Sequence, residues 1–342
     1  MNRLTPRKLL LFTITGLLGA GLVAFACLFV GATRRPPAEV LSAIIGRGPG
    51  SVDTEIILGQ RLPRVLLAFL VGGSLAVAGA VFQALLRNPL ATPHTLGVSS
   101  GGALGAASAI FLDMQTLKVG PVGPVQFFAL GGSLCAMGVI YLLARGRKTF
   151  STLKLLLAGV TMALISSALI MFVRYLAEPH KLVVLDRWLM GGLEVTGFSG
   201  VAAVLPLMLP ALALLVCQVH NLNHIAFDEE LARGRGINVT AVQIACFVGG
   251  SVLTASVVSV AGPIGFVGLL VPHAFRLIFG PDHRTLLIAS FFGGGAFLTI
   301  ADTFARTILA PTELPVGVLT AMLGGPFFLF LLSRRSIRGD GL

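Results

Sequence analysis

Uncharged, mostly apolar runs of 16–23 residues recur along the chain, and the charged residues collect in the short segments between them. A hydrocarbon layer of about 30 Å is crossed by a helix of about 20 apolar residues, so runs of this length predict membrane-spanning helices. Ten are legible: 9–30, 65–86, 95–112, 125–144, 155–173, 198–219, 239–261, 264–279, 286–301 and 316–332. Arg276 interrupts the eighth, and the third, eighth, ninth and tenth are near the shortest length that spans, so their ends are the least defined. The pattern predicts an all-α membrane protein of about ten transmembrane helices, a single transmembrane domain over residues 1–342 with no soluble domain beside it.

Glycine falls inside these runs, at Gly72-Gly73, Gly79, Gly101-Gly102, Gly105, Gly131-Gly132 and Gly293-Gly294-Gly295. Small residues let helix backbones approach closely in lipid, so Gly101 and Gly105, four apart, predict a tightly packed helix pair. Gly262-Pro263 breaks an otherwise continuous apolar stretch. Either a simple helix-end turn or irregular backbone lining a water-filled vestibule fits that break.

The longest inner connection, residues 220–238, reads HNLNHIAFDEELARGRGIN. Asn223 or Asp228 can cap a short helix, Glu229 and Arg233 form an acid–base pair at i,i+4, and Gly234 and Gly236 end the segment. Two short helices on the cytoplasmic face fit this pattern, and so does a solvated loop.

Composition agrees with the spacing. The 342 residues are 55% hydrophobic and 11% charged, with a mean hydropathy of +0.92. An average soluble domain carries about 25% charged residues. The formal net charge of +11 is spread in small clusters between apolar runs, with no basic stripe interleaved with aromatics, which argues against nucleic acid. With the N-terminus taken as cytoplasmic, the inner segments hold fifteen of the 25 Lys and Arg, among them Arg3, Arg7, Lys8, Arg87, Arg147, Lys148 and Arg338. That bias predicts both termini in the cytoplasm. The first run exceeds the apolar core of a signal peptide and is expected to remain as the first span.

Cys27, Cys135, Cys217 and Cys246 each lie in an apolar run without a CxxC pair or a histidine at metal-ligand spacing, so neither metal nor cofactor is expected. No GxxxxGK[ST] occurs, and the glycine-rich Gly46–Gly50 segment lacks the Lys-Ser/Thr that would hold phosphate. The chain is therefore not expected to hydrolyse ATP itself. Ionisable residues in or beside the runs are few: Arg174, Glu194, His273, Arg276, Asp302 and Arg306. Asp302 and Arg306 share a helical face at i,i+4 and are read as a structural ion pair more than as a proton or sodium relay. Energy for any transport is expected from another subunit; a stand-alone secondary carrier or channel is the alternative.

An ordered set of short strings gives these features a context. They are Arg61-Leu-Pro-Arg64, Gln83 with Arg87-Asn-Pro-Leu-Ala91 and Leu96-Gly97, Leu157-Ala-Gly159, and Trp188 with Gly191-Gly192. Then follow Gly262-Pro-Ile-Gly-Phe-Val-Gly268, Pro272-His273, Asp282-His-Arg284, Ala301-Asp302 with Arg306, and Glu313-Leu-Pro-Val-Gly317. Over residues 55–332 the sequence resembles the FecCD family of bacterial ABC importer permeases, which carry iron-siderophore complexes, haem and cobalamin.

The resemblance implies the type II ABC importer permease fold in the bacterial cytoplasmic (inner) membrane. Implied partners are a second permease copy, in a homodimer or a heterodimer, two cytoplasmic ABC ATPase subunits and an extracytoplasmic substrate-binding protein. By comparison with the cobalamin-carrying members, Arg61, Arg64 and Arg306 match outward-facing arginines that dock carboxylates of the binding protein. Asn88, Leu90, Thr152 and Leu153 match the cytoplasmic gate, although Leu153 stands where serine is found there. The 220–238 segment matches the coupling helices that enter the ATPase cleft, which assigns ATPase contact to Asp228, Glu229, Glu230, Arg233, Gly234, Arg235 and Gly236. Family members often carry Leu-Gly in place of Arg235-Gly236. The implied substrate path runs between two copies, along the fifth and tenth spans.

Overall fold

The structure is a computed structural model that describes residues 6–31, 36–44, 55–114, 123–145, 150–193 and 197–337. Arg3, Arg147, Lys148, Glu194, Arg338 and the Gly46–Gly50 segment lie outside the described residues.

Among the described residues thirteen α-helices account for nearly the whole fold. They are α1 (Pro6–Phe29), α2 (Pro37–Ile44), α3 (Leu62–Leu85), α4 (Val98–Phe111), α5 (Pro124–Ala144), α6 (Thr152–Leu176) and α7 (Pro179–Leu189). The second half supplies α8 (Ser199–Phe227), α9 (Glu229–Gly234), α10 (Val239–Ala261), α11 (Val267–Phe279), α12 (His283–Ala305) and α13 (Val316–Ile337). A π-helical turn, Glu55–Arg61, leads into α3. Seven of the helical segments are long and apolar enough to cross a membrane, and α4, α11 and the Val316–Leu329 part of α13 are shorter apolar helices. Each of the ten apolar runs thus becomes one helix. The charged connections add α2, α7 and α9.

Helices α3 and α10 form the centre, buried along most of their length, while α1 and α6 lie at the periphery. Of α6 only Leu155, Gly159 and Ser166 are buried, and Leu157, Leu164, Ile165, Leu169, Met171 and Phe172 are exposed. In water such a face would be a liability. Against lipid or against another apolar helix it is an ordinary surface, because hydrocarbon solvates leucine as well as a protein core does.

What draws the central helices together is the absence of side chains at their crossings. A Cβ on Gly79 of α3 would sit 1.8 Å from the Gly268 carbonyl oxygen of α11, and one on Gly72 would sit 2.2 Å from the Gly294 carbonyl of α12. The expected α4 pair is present: a Cβ on Gly105 would meet the Phe128 carbonyl of α5 at 2.1 Å, and one on Gly101 the Gly132 carbonyl at 2.7 Å. At these approaches backbone touches backbone, and dispersion takes the place of the hydrophobic drive that lipid removes.

The Gly262-Pro263 break separates α10 from α11. Gly262 has φ +68°, a left-handed conformation suited to glycine, and a Cβ there would meet the Trp188 carbonyl at 2.6 Å. The Gly192 amide donates to the Ala261 carbonyl at 2.9 Å, and the Gly317 amide to the Gly191 carbonyl at 3.1 Å. The break is therefore a helix-end turn whose polar backbone is met by protein, as membrane depth requires. It also borders a cavity of about 540 Å³ lined in part by Trp188, Arg187, Val260 and Pro315.

Candidate functional site

Three groups of residues singled out by sequence occupy two ends of the bundle. At one end, the π-helical turn delivers Arg61 and the first turn of α3 delivers Arg64, while the last turn of α12 carries Asp302 and its C-cap is Arg306. The Arg64 guanidinium forks onto Asp302, with Nε to Oδ2 at 3.0 Å and Nη2 to Oδ1 at 3.0 Å, and its Nη1 donates to Glu313 at 2.7 Å. Arg306 lies 3.9 Å from Asp302 Oδ2 and donates from Nη2 to the Cys27 carbonyl at 3.2 Å. Arg61 donates from Nη1 to the neighbouring Leu28 carbonyl at 3.1 Å.

The structure brings the three arginines to one end and turns two of them inward. Asp302 is 1% exposed, Arg306 4% and Arg61 5%, and both arginines cap carbonyls in the last turn of α1. Arg64 and Glu313 form the accessible rim. The i,i+4 pairing of Asp302 with Arg306 is present but secondary. Arg64 holds the carboxylate in the bidentate geometry that makes arginine–carboxylate pairs strong. Sequence spacing gave no sign of this partner, because Arg64 and Asp302 are 238 positions apart. At the same end Arg174 of α6 pairs with Asp186 of α7.

At the other end lie the residues that the resemblance assigns to a gate and to ATPase contact. Asn88 follows α3, and its Oδ1 accepts from the Leu90 amide at 2.9 Å, which fixes a tight turn. Thr152 opens α6 beneath a Ser151 cap, whose hydroxyl accepts from the Lys154 amide at 3.3 Å. Leu90 is exposed and Leu153 is 65% exposed. The connection after Asn88 reaches α6 by packing at Leu96-Gly97, where a Cβ on Gly97 would lie 2.7 Å from the Gly159 carbonyl.

The 220–238 segment forms one short helix, not two. Helix α8 runs on through His220–Phe227, and only α9 is separate. Asp228 is the cap, accepting from the Glu230 and Leu231 amides at 2.7 and 3.0 Å. Asn223 instead braces the start of α12, donating to Asp282 at 2.8 Å and accepting from the His283 amide at 2.8 Å. Glu229 and Arg233 pair at 3.8 Å, Arg235 Nη1 approaches His224 Nδ1 at 3.0 Å, and Gly234 ends the helix ahead of Gly236 at φ +80°. Sequence reading placed Arg87 in a matching string but gave it no part here, although its guanidinium reaches both Ile225 and Glu229.

The Leu231 and Glu230 amides hold the Asp228 carboxyl below the usual carboxylate range. A depressed folded-state pKa stabilises the cap above the unfolded pKa and ceases to do so as pH falls through the folded value. Amide exchange at Glu230 and Leu231, corrected for intrinsic rates, is expected to lose protection as pH drops below that range. Asp228→Asn should remove most of the pH dependence; an unchanged profile would discount the cap.

These arrangements place an ionic cluster at one end, a polar turn and short helix at the other, and apolar, glycine-packed helices between. Among the described residues no group of three or more His, Cys, Asp or Glu is placed to hold a metal ion.

A family model described as the FecCD transport family matches residues 18–334. The cobalamin import system permease of Halobacterium salinarum is 42% identical over 285 residues, covering 83% of this chain and 75% of its own. The hemin transport system permease of Yersinia pestis is 38% identical over 288 residues, 84% of this chain and 86% of its own. A solved structure, described as an inward-facing conformation of a metal-chelate type ABC transporter, superposes with a TM-score of 0.77 at 28% identity, covering 93% of this chain and 98% of that one. With a family model matching nearly end to end and relatives near 40% identical across most of their lengths, this chain belongs to the FecCD transport family.

Proposed function

We propose that the chain is the permease subunit of an ATP-driven importer that brings a metal chelate, of the iron-siderophore, haem or cobalamin kind, into the cytoplasm. The carrying observation is the FecCD match over residues 18–334. Relatives named for cobalamin and for hemin support the chelate class rather than one chelate. In this reading ten helices span the bacterial inner membrane with both termini cytoplasmic, and ATP is hydrolysed by two partner subunits that contact residues 220–238. A second copy packs so that the substrate passes between the two along α6 and α13. The wide apolar surface of α6 supports that arrangement, and Asn88, Leu90, Thr152 and Leu153 close the cytoplasmic end.

A binding protein docks at the arginine end. Since Arg61 and Arg306 point inward, the group within reach of an incoming carboxylate is Arg64, with the other two adding positive field. Glu313 occupies part of Arg64 already. Glu313→Gln is therefore expected to strengthen docking. Arg64→Gln should weaken it about 10-fold or more, the scale of one buried charge-assisted contact. Affinity of the lipid-embedded transporter for its binding protein reads both, and two unchanged affinities would reject Arg64 as the docking group.

The functional reading itself is tested in vesicles carrying the permease, the ATPase subunits and the binding protein. Ferric hydroxamate, haem and cyanocobalamin are offered in turn. ATP-dependent accumulation of one of them is the expected result. Uptake by the permease alone, without ATPase subunits, would favour a secondary carrier.

A further inference from the structure

Helix α3 ends in an unusual way. Arg87 adopts φ +48°, the left-handed conformation in which helix C-terminal positions select glycine. The Arg87 amide bonds to the Ala84 carbonyl at 3.3 Å and the Asn88 amide to the Gln83 carbonyl at 3.1 Å. An arginine gains nothing from this backbone conformation, so its side chain has to account for it. Its Nη2 donates to the Ile225 carbonyl, at the end of α8, at 2.8 Å and lies 3.4 Å from Glu229 Oε1 in the first turn of α9. The same Glu229 oxygen accepts from Gln243 Nε2 of α10 at 3.2 Å, and Gln243 is buried.

One guanidinium thus joins three things: the end of α3, the junction of α8 with α9, and, through Glu229, the buried face of α10. The residue after Arg87 is Asn88, whose side chain sets the turn that presents Leu90. Three peptide units and one side-chain-locked turn separate Arg87 from Leu90, which gives a displacement of α9 along the Glu229–Arg87 contact a short route to Leu90. By contrast, the hydrogen bonds and ion pairs of Asp228, Arg233 and Arg235 stay within the α8–α9 region, and Asp228 feels Arg87 only through its field.

We propose that Arg87 is the positioning residue that couples the short helix α9 to the turn Asn88–Leu90, so that a push on α9 by the ATPase moves that turn. The proposal rests on the importer reading above and deepens it. Arg87 and Glu229 are both partly exposed, so their ion pair is weak as a source of stability. Its worth lies in directional linkage between two elements.

Leu90→Cys in the full transporter complex, in inside-out vesicles and with the four native cysteines replaced by serine, supplies the readout. The rate at which a membrane-impermeant maleimide modifies it is compared without nucleotide and with ATP plus vanadate. In the Arg87 parent the two rates are expected to differ roughly 5-fold or more, the usual scale of coupling between sites. Arg87→Gly suits the backbone, and should fold as well as the parent while losing most of that difference. Exchanging the charges with Arg87→Glu and Glu229→Arg together should restore part of it, whereas Arg87→Glu alone should not. An undiminished nucleotide response in Arg87→Gly overturns the coupling role and leaves the importer reading intact. No nucleotide response in the parent overturns both.

Discussion

Asp302→Ala is expected to lower the stability of the protein by about 3–5 kcal/mol, the usual cost of removing one partner from a buried charge pair. Asp302 accepts from two nitrogens of Arg64 and faces Arg306, while Arg61 stands close enough to join the same field. Without the carboxylate, Arg64 keeps only Glu313, and Arg306 faces other guanidiniums with the Cys27 carbonyl and the Thr303 hydroxyl as its support. The effect should extend to α1, because Arg306 and Arg61 hold the Cys27 and Leu28 carbonyls at its end. Thermal unfolding in detergent reads the loss. Proteolysis between α1 and α3 should rise with it. Combining Asp302→Ala with Arg64→Met should cost less than the sum of the two changes, since each removes the other's reason for burial. A loss below about 1 kcal/mol, the scale of an exposed pair, would show that water reaches the cluster and screens it.

The second large effect concerns a methyl group. Gly79→Ala places a Cβ 1.8 Å from the Gly268 carbonyl oxygen and within 2.7 Å of the Gly268 carbonyl carbon and Cα. Neither side can yield by turning a side chain, since both atoms belong to helix backbones. Helices α3 and α11 would have to separate. Helix α3 also packs against α8, α10 and α12, so separation at one crossing disturbs the others. Overpacking of this kind costs about 3 kcal/mol or more when the backbone must move. The expected result is loss of the folded, monodisperse protein on size-exclusion chromatography or a much lower unfolding temperature. Gly131→Ala and Gly138→Ala are the controls, because nothing lies within 4 Å of a Cβ at either position. If Gly79→Ala behaves like these controls, the close crossing of α3 on α11 is wrong.

Several parts of this molecule are written locally and could be read without coordinates. A run of apolar residues becomes a helix wherever it must satisfy its own backbone in lipid, so the ten runs appear as ten helices with ends shifted by a few residues. The Asp228 cap, the Glu229–Arg233 pair and the Gly101/Gly105 approach also follow from spacings of four residues or fewer along one helix. The continuation of α8 through His220–Phe227 was less legible. Its polar residues match those of a loop, and only their tertiary bonds, such as Asn223 to Asp282, show that the helix carries on.

What sequence determined alone, then, is the medium and the inventory: a bundle of apolar helices, basic residues concentrated in the segments read as cytoplasmic, and short strings that identify the family. Tertiary structure decided what those residues do for one another. Arg64 meets Asp302 across 238 positions, Arg61 and Arg306 turn toward α1, and Arg87 reaches over to α8 and α9. The physical reason is range. Hydrophobic length and helix capping act over one to six turns of a single helix. The partner of a charged side chain depends on which helices cross, and the crossings are set by glycines whose contacts lie on other helices.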